Sequence, residues 1–283
     1  MEEVKRIPLV SVIIVNYNTT ELTRSCIQSV IKFTNVPIEI ILIDNDSADR
    51  SIEQLADEFP DLILILNQKN SGFGAANNMG IKRAKANYLF FLNSDTLLIS
   101  DAIDEFFKFM EDKHHQHIAC CGGSLISPIG TKQISYGNFP SIAELFASLG
   151  PGVFYKNYYR KYLSSGVKVH ENQPHPVDYI SGADFFVRKS VLMEVGLFDE
   201  DFFLYFEETE LAFRIRNKGY LSFMLPDVHI IHLEGGSHLN VQKLEKKRIF
   251  DYHRWLFFKK CYGDFNATVV RSLFFLRKLI YRY

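Results

Sequence analysis

The chain has little of what would commit it to several large classes of protein. Its four cysteines, Cys26, Cys120, Cys121 and Cys261, include no CxxC pair, so a reducing cytoplasm is the expected compartment. No uninterrupted apolar run approaches the roughly 20 residues that span a bilayer. The opening "MEEVKRIPLV" lacks the charged, apolar and small-residue sections of a signal peptide. Charge of one sign is missing as well: Lys+Arg 32 against Asp+Glu 33 leaves a net charge of -1, too little to gather nucleic acid by a whole-protein field. Hydrophobic residues, at 47% of 283, are by contrast ample for a sizeable core.

The N-terminal third alternates two patterns. "VSVIIVNYN" (10–18) is β-branched and apolar on both faces, as a central parallel strand is. Thr19 and Thr20 offer an N-cap to "ELTRSCIQSVIKF", whose Leu22, Cys26, Ile27, Val30 and Ile31 recur at helical spacing. "IEIILIDN", "LILILN" and "YLFFLN" read as further strands, with helices through "SIEQLADEF" and "AANNMGIKRAKA" between them. Such alternation predicts a parallel sheet with helices on both faces. Beyond it, 131–175 is rich in Gly, Pro, Ser and Tyr and predicts an irregular insert. The stretch from Tyr179 reads as strand, helix, loop, helix, followed by a short strand closing on His232.

Ligands of such sheets bind beyond the carboxyl ends of the strands. Four successive strands end in polar residues there: Asn16 and Asn18, Asp44 and Asp46, Asn67 and Asn70, Asn93 and Asp95. Any one could be a turn residue; four on one edge point to a polar ligand. Asp95 is a hard oxygen ligand suited to Mg²⁺ or Mn²⁺. In "FEETEL", Glu207, Glu208 and Glu210 crowd a helix start, where the macrodipole favours negative charge. The preceding "DFFLYF" adds aromatic walls that raise a carboxylate's proton affinity and suit a general base. His114, His115 and His117 before Cys120 and Cys121 read as a solvated helix end and small buried thiols in preference to a zinc site.

Taken in order, "SVIIVNYN", "LIDNDSAD", "NSGFGAANNMGI", "FLNSDT", "GADFFVRKSVLMEVGLFDEDFFLYFEETELAFRIRNKG" and "HLEGGS" resemble the family-two inverting glycosyltransferases of GT-A fold, and within them the rhamnosyltransferase-like branch. "GFGAAN" lacks the third glycine of a dinucleotide fingerprint, which disfavours a dehydrogenase. The resemblance implies an α/β domain over 1–239, Rossmann-like and mostly parallel. Its halves would be a nucleotide-binding 1–100 and an acceptor and catalytic 101–239, followed by a helical tail at 240–283. It implies that Asp44 binds the pyrimidine, framed by Val15 and Tyr17, and that Asn70, Gly72, Phe73 and Asn78 line the nucleotide pocket. Asn93-Ser94-Asp95 takes the Asp-x-Asp position, with Asp95 and His232 holding the cation and Asn93 departing from the usual aspartate. Gly182, Ala183 and Asp184 would face donor sugar and acceptor. Glu208 stands where the family carries its catalytic aspartate, leaving Glu207 and Glu210 as alternatives, with Arg214 pairing with this acidic group.

The implied reaction is single displacement from a dTDP- or UDP-sugar to a polyprenyl-diphosphate-linked saccharide at the inner membrane face. The tail, with Lys243, Lys246, Lys247, Arg248, Lys259, Lys260, Arg271, Arg277, Lys278 and Arg282 beside Trp255 and many Phe and Tyr, suits an anionic lipid surface. A helix packed on the core or on a second subunit, as in a homodimer, is the competing reading. A non-catalytic sugar-nucleotide or glycan-binding protein that kept the fold is the alternative from another class, motivated by Asn93 and Glu208. A nucleotidyltransferase ranks last, because no glycine- and lysine-rich phosphate loop follows "IIVNYN".

Overall fold

The structure, a computed structural model, describes residues 7–48, 51–149, 172–233 and 243–281, and between the second and third of these residues 154, 156–159, 163, 164 and 166–168. The apolar runs become β1 (Val10–Asn16), β2 (Ile38–Asp44), β3 (Ile63–Leu66) and β4 (Tyr88–Asn93). Between them lie α1 (Thr20–Phe33), α2 (Gln54–Glu58) and α3 (Phe73–Arg83). These strands pair in parallel in the order β3-β2-β1-β4. Asn16 stands opposite Asp44, and Val15 opposite Asn93, so three polar ends share one edge.

Then follow β5 (Thr96–Leu98), α4 (Ala102–Glu111), β6 (Ile118–Ile126), β7 (Ile134–Gly137), α5 (Ile142–Ser148), α6 (Lys156–Tyr158), β8 (Val167–Lys168), β9 (His175–Val177) and β10 (Tyr179–Ile180). The chain continues through β11 (Asp184–Arg188), α7 (Lys189–Val195), α8 (Glu207–Asn217), β12 (Leu221–His232) and α9 (Lys243–Tyr281). The main sheet runs β3-β2-β1-β4-β11-β6-β12-β5, with β9 added against β12. β11 enters antiparallel between β4 and β6. Its register is held by aromatic pairs: Phe185 stacks on Phe91 at 5.9 Å, and Phe186 lies against Phe90 at 6.0 Å. All four rings are fully buried, and a one-residue slip would turn each to the wrong face. That register brings Gly182 and Ala183, just before β11, to the edge where β4 ends.

Two departures from the sequence reading concern the second half. The closing strand is long: β12 spans 12 residues, accommodating Pro226 and Asp227 through register shifts against β6. Part of the expected insert is ordered as a small sheet, β10-β7-β8. Apolar side chains fill both faces of the main sheet, and a third cluster joins Leu145 of α5, Phe202 and Phe206 before α8, and Leu256, Phe257, Phe258 and Val270 of α9. α9 thus packs on the body of the protein on both sides of Gly263, which at φ 86° breaks the helix.

Candidate active site

The edge at the strand ends is organised by a residue that the sequence reading placed there without assigning it a role. Asn16 is fully buried; its Nδ2 donates to Asp44 Oδ1 at 2.7 Å and to Ser47 Oγ at 3.0 Å. Its Oδ1 accepts from Thr19 Oγ1 at 2.9 Å and Thr23 Oγ1 at 2.7 Å. Asp44 also accepts from the Ser47 amide at 3.1 Å. A carboxylate so bonded is fixed in direction, and charge-assisted bonds of this kind are worth about 1.5–3 kcal/mol each. Thr19, expected as an N-cap, makes no capping bond through its side chain; its hydroxyl instead reaches Asn16 and, at 3.0 Å, Ser94 Oγ. Val15 and Tyr17, at the end of β1, are half-buried.

The turn before α3 forms the next wall. Asn45 Nδ2 donates to Asn70 Oδ1 at 2.9 Å, and Asn70 Oδ1 accepts from the Gly72 amide at 3.1 Å. Gly72 has φ 86°, and a Cβ there would lie 2.4 Å from Phe203 O, so only glycine fits. Phe73 follows, its ring 3.2 Å from where a Gly182 Cβ would stand. Asn78 is turned to another use: its amide joins α3 to Phe198 O at 2.9 Å and Glu200 Oε1 at 3.0 Å.

At the end of β4, Asn93 is half-buried and Asp95 buried. Antiparallel pairing of β12 with β5 sets His232 opposite Thr96, and His232 Nε2 lies 3.3 Å from Asp95 Oδ1. A carboxylate oxygen suits Mn²⁺ or Mg²⁺, and an imidazole nitrogen beside it favours Mn²⁺ of the two. Among the described residues no group of three or more His, Cys, Asp or Glu could hold a metal, so a cation here would need oxygens from a diphosphate or water. The Cys120 and Cys121 thiols are fully buried in β6, and His115 Nδ1 contacts Phe109 O at 2.7 Å.

The Asn93 amide donates to Ala183 O at 3.1 Å, which links this edge to the carboxylates of α8. Tyr205 and Phe206, both left-handed at φ 73° and 71°, turn the chain into that helix. Glu210 is buried and held bidentately by Arg214 at 2.8 Å through both Nε and Nη2, which leaves Glu207 and Glu208 outside that ion pair. Glu207 is buried toward Gly74 of α3; burial first, and then the Glu208 charge, push its pKa well above the ordinary value. Glu208 is half-buried, with its carboxyl carbon 3.8 Å from a Cβ built on Gly182. Burial pushes it up to about 7, against backbone N–H bonds from Glu208 itself, Gly182 and Thr209. Asp184 points elsewhere: it is fully buried, accepts from the Gly123 amide at 2.6 Å, and burial raises its pKa well above normal.

Contacts therefore run from Asp44 through Asn16, Thr19 and Ser94 to Asp95, and from Asn93 through Ala183 and Gly182 to Glu208. Sequence reasoning missed Asn16 as the organiser, and it missed Tyr179, a buried β10 residue close enough for the Glu208, Glu144 and Arg254 charges to act on it.

Comparison with known proteins bears on the family and the fold. A family model described as glycosyl transferase family 2 matches residues 11–194. An N-acetylglucosaminyl-diphospho-decaprenol L-rhamnosyltransferase of Mycobacterium tuberculosis is 26% identical over 213 residues, 70% of this chain and 67% of that protein. An uncharacterized glycosyltransferase of Haemophilus influenzae is 33% identical over 139 residues, 46% of this chain and 56% of that protein. Among solved structures, a mannosyltransferase from Pyrobaculum calidifontis in complex with GDP-Man and Mn²⁺ superposes with a TM-score of 0.61 at 17% identity, covering 96% of this chain and 72% of that one. GalNAc-T7 with UDP, GalNAc and Mn²⁺ gives 0.59 at 18% identity, covering 80% and 44%. Both share the GT-A architecture of a central sheet flanked by helices. With the match extending over most of the sheet and the strand-end carboxylates on its edge, the chain belongs to glycosyl transferase family 2, and it is a glycosyltransferase.

Proposed function

We propose that the protein transfers a sugar, rhamnose by its similarity to the mycobacterial enzyme, from a dTDP- or UDP-sugar to a hydroxyl of a polyprenyl-diphosphate-linked saccharide, with inversion at the anomeric carbon. The observation that carries this reading is Glu208: a half-buried carboxylate with a pKa near 7, beside Gly182, on the same edge as Asp44 and Asp95. Such a group is poised to accept a proton at neutral pH. Glu208 takes the proton of the acceptor hydroxyl as that oxygen attacks C1 from the face opposite the diphosphate. Asp44, held by Asn16 and Ser47, orients the base; Asn70, Gly72 and Phe73 shape the pocket; Asn93 faces the ribose or diphosphate. Asp95 and His232 would hold a divalent cation, which when bound offsets the charge of the leaving diphosphate. Gly182 and Ala183 line the sugar, and Asp184 supports them from within the sheet.

The acceptor's lipid is matched by the end of α9. Phe265, Phe275, Leu276 and Leu279 are 79%, 65%, 43% and 61% exposed, with Arg271, Arg277 and Lys278 among them. No helix among the described residues is long and apolar enough to cross a membrane; this one suits lying on an anionic leaflet at the cytoplasmic face.

The test is a screen of sugar nucleotides for Mn²⁺-dependent binding and for transfer, in wild type and Glu208→Gln. The reading expects selective binding of one pyrimidine sugar nucleotide, and loss of transfer in the variant with nucleotide affinity kept. A wild type that binds nucleotide but transfers to no lipid-linked acceptor would favour a binding protein.

A further inference from the structure

The approach to α8 is strained, and α9, which lies beyond the 11–194 matched by the family model, restrains it. A left-handed backbone is unfavourable for a non-glycine residue, and two in succession, Tyr205 and Phe206, persist only where the surroundings over-determine them. Phe250 of α9 contacts both rings, at 5.5 Å and 5.0 Å, and Phe257 contacts Phe206 at 6.0 Å. Ring packing fixes the two side chains but leaves the backbone before them undirected.

His253, only 4% exposed, supplies that direction. Its Nδ1 lies 2.6 Å from Leu204 O, and its Nε2 lies 3.5 Å from the Phe203 amide. These partners select the neutral tautomer in which Nδ1 donates and Nε2 accepts. Burial, which lowers its pKa, favours the same form. On its other side Phe203 abuts the nucleotide turn: its carbonyl accepts from the Phe73 amide at 3.1 Å and sits where a Gly72 Cβ would go. Glu207 and Glu208 follow within five residues of Phe203.

We infer that His253 is a positioning residue, one imidazole of α9 that sets the backbone at Phe203-Leu204 and so fixes both the turn at Gly72-Phe73 and the reach of Glu208. The inference rests on the glycosyltransferase reading for its kinetic consequence and not for its structural one. Two readouts separate them: hydrogen exchange of the 203–208 amides, and kcat and KM for the sugar nucleotide.

His253→Leu fills the volume without either bond. It is expected to speed exchange at 203–208 at least tenfold with β1 to β4 unchanged, to lower kcat by about a hundredfold, the scale of an ångström-sized misplacement, and to raise the donor KM, since the turn at Gly72-Phe73 is released with Phe203. His253→Asn, whose amide can still donate to Leu204 O, is expected to recover kcat to within about tenfold of wild type. Unchanged exchange in His253→Leu, or a lower Tm with kcat within about threefold of wild type, would overturn the assignment, as would an asparagine variant no better than leucine. If His253→Leu does not fold, His253→Asn decides alone, because nothing then accepts the Phe203 amide: its exchange must rise at least tenfold, and a wild-type rate refutes the assignment. A wild type without transferase activity would sink the functional reading, and the exchange comparison would still decide the positioning.

Discussion

Replacing Glu208 by glutamine should make the protein more stable above neutral pH while destroying its chemistry. Burial raises this carboxyl from an ordinary 4.5 to about 7. A folded-state pKa raised above the unfolded one contributes stability that is complete below pH 4.5 and is lost as pH climbs through 7. Over that interval the loss amounts to about 3.4 kcal/mol; since the side chain is only half-buried, solvent screening reduces it to about 1–3 kcal/mol. Glutamine resembles the protonated acid and escapes the loss. For 283 residues the unfolding entropy is about 0.6 kcal/mol per degree, so the gain at pH 8 is about 2–5 °C. Thermal unfolding of both proteins at pH 5 and pH 8 measures it, and transfer by the variant should fall about 10²–10⁴-fold. A Tm difference no larger at pH 8 than at pH 5 would refute the placement of Glu208.

Other perturbations have equally definite signs. Gly72→Ala places a Cβ 2.4 Å from Phe203 O at φ 86°, so denaturant unfolding should show at least 2 kcal/mol of lost stability, with a raised donor KM. Arg214→Leu leaves the buried Glu210 carboxylate and the carbonyls of Val195, Gly196 and Leu197 without their guanidinium donors; a loss of about 3–5 kcal/mol is expected in the same assay. Asp95→Ala should abolish the Mn²⁺ dependence of nucleotide binding by calorimetry, and a chelator should reproduce that loss in the wild type. Phe275→Glu together with Leu279→Glu, two exposed positions at the end of α9, should reduce flotation with anionic vesicles, and leave transfer to a water-soluble acceptor analogue within about threefold.

The strands of the first hundred residues were legible because each is a β-branched or aromatic run bounded by polar residues, and their parallel pairing follows from the helices between them. β11 was legible as a strand but not in its direction, since its antiparallel place beside β4 depends on Phe185 and Phe186 meeting Phe91 and Phe90 across a hundred residues. β12 was read too short because Pro226-Asp227 resembles a strand end, whereas register shifts against β6 absorb it. Within the site, Asp44, Asp95 and the glutamate cluster stand out as carboxylates at element ends. Asn16 does not, because its part is to bond Asp44 and Thr23 across the fold. His253 sits in an aromatic helical run that reads only as a packed helix, and its partners are backbone atoms that no side-chain pattern announces.

The central claim is that the strand ends and the start of α8 enclose one ligand. A crystal structure with a pyrimidine nucleoside diphosphate and Mn²⁺ tests it most directly. The account predicts the base at Asp44, the ion on Asp95 and His232, and Glu208 facing the open side of the diphosphate past Gly182; a nucleotide lodged elsewhere, or Glu208 turned away from it, would contradict it.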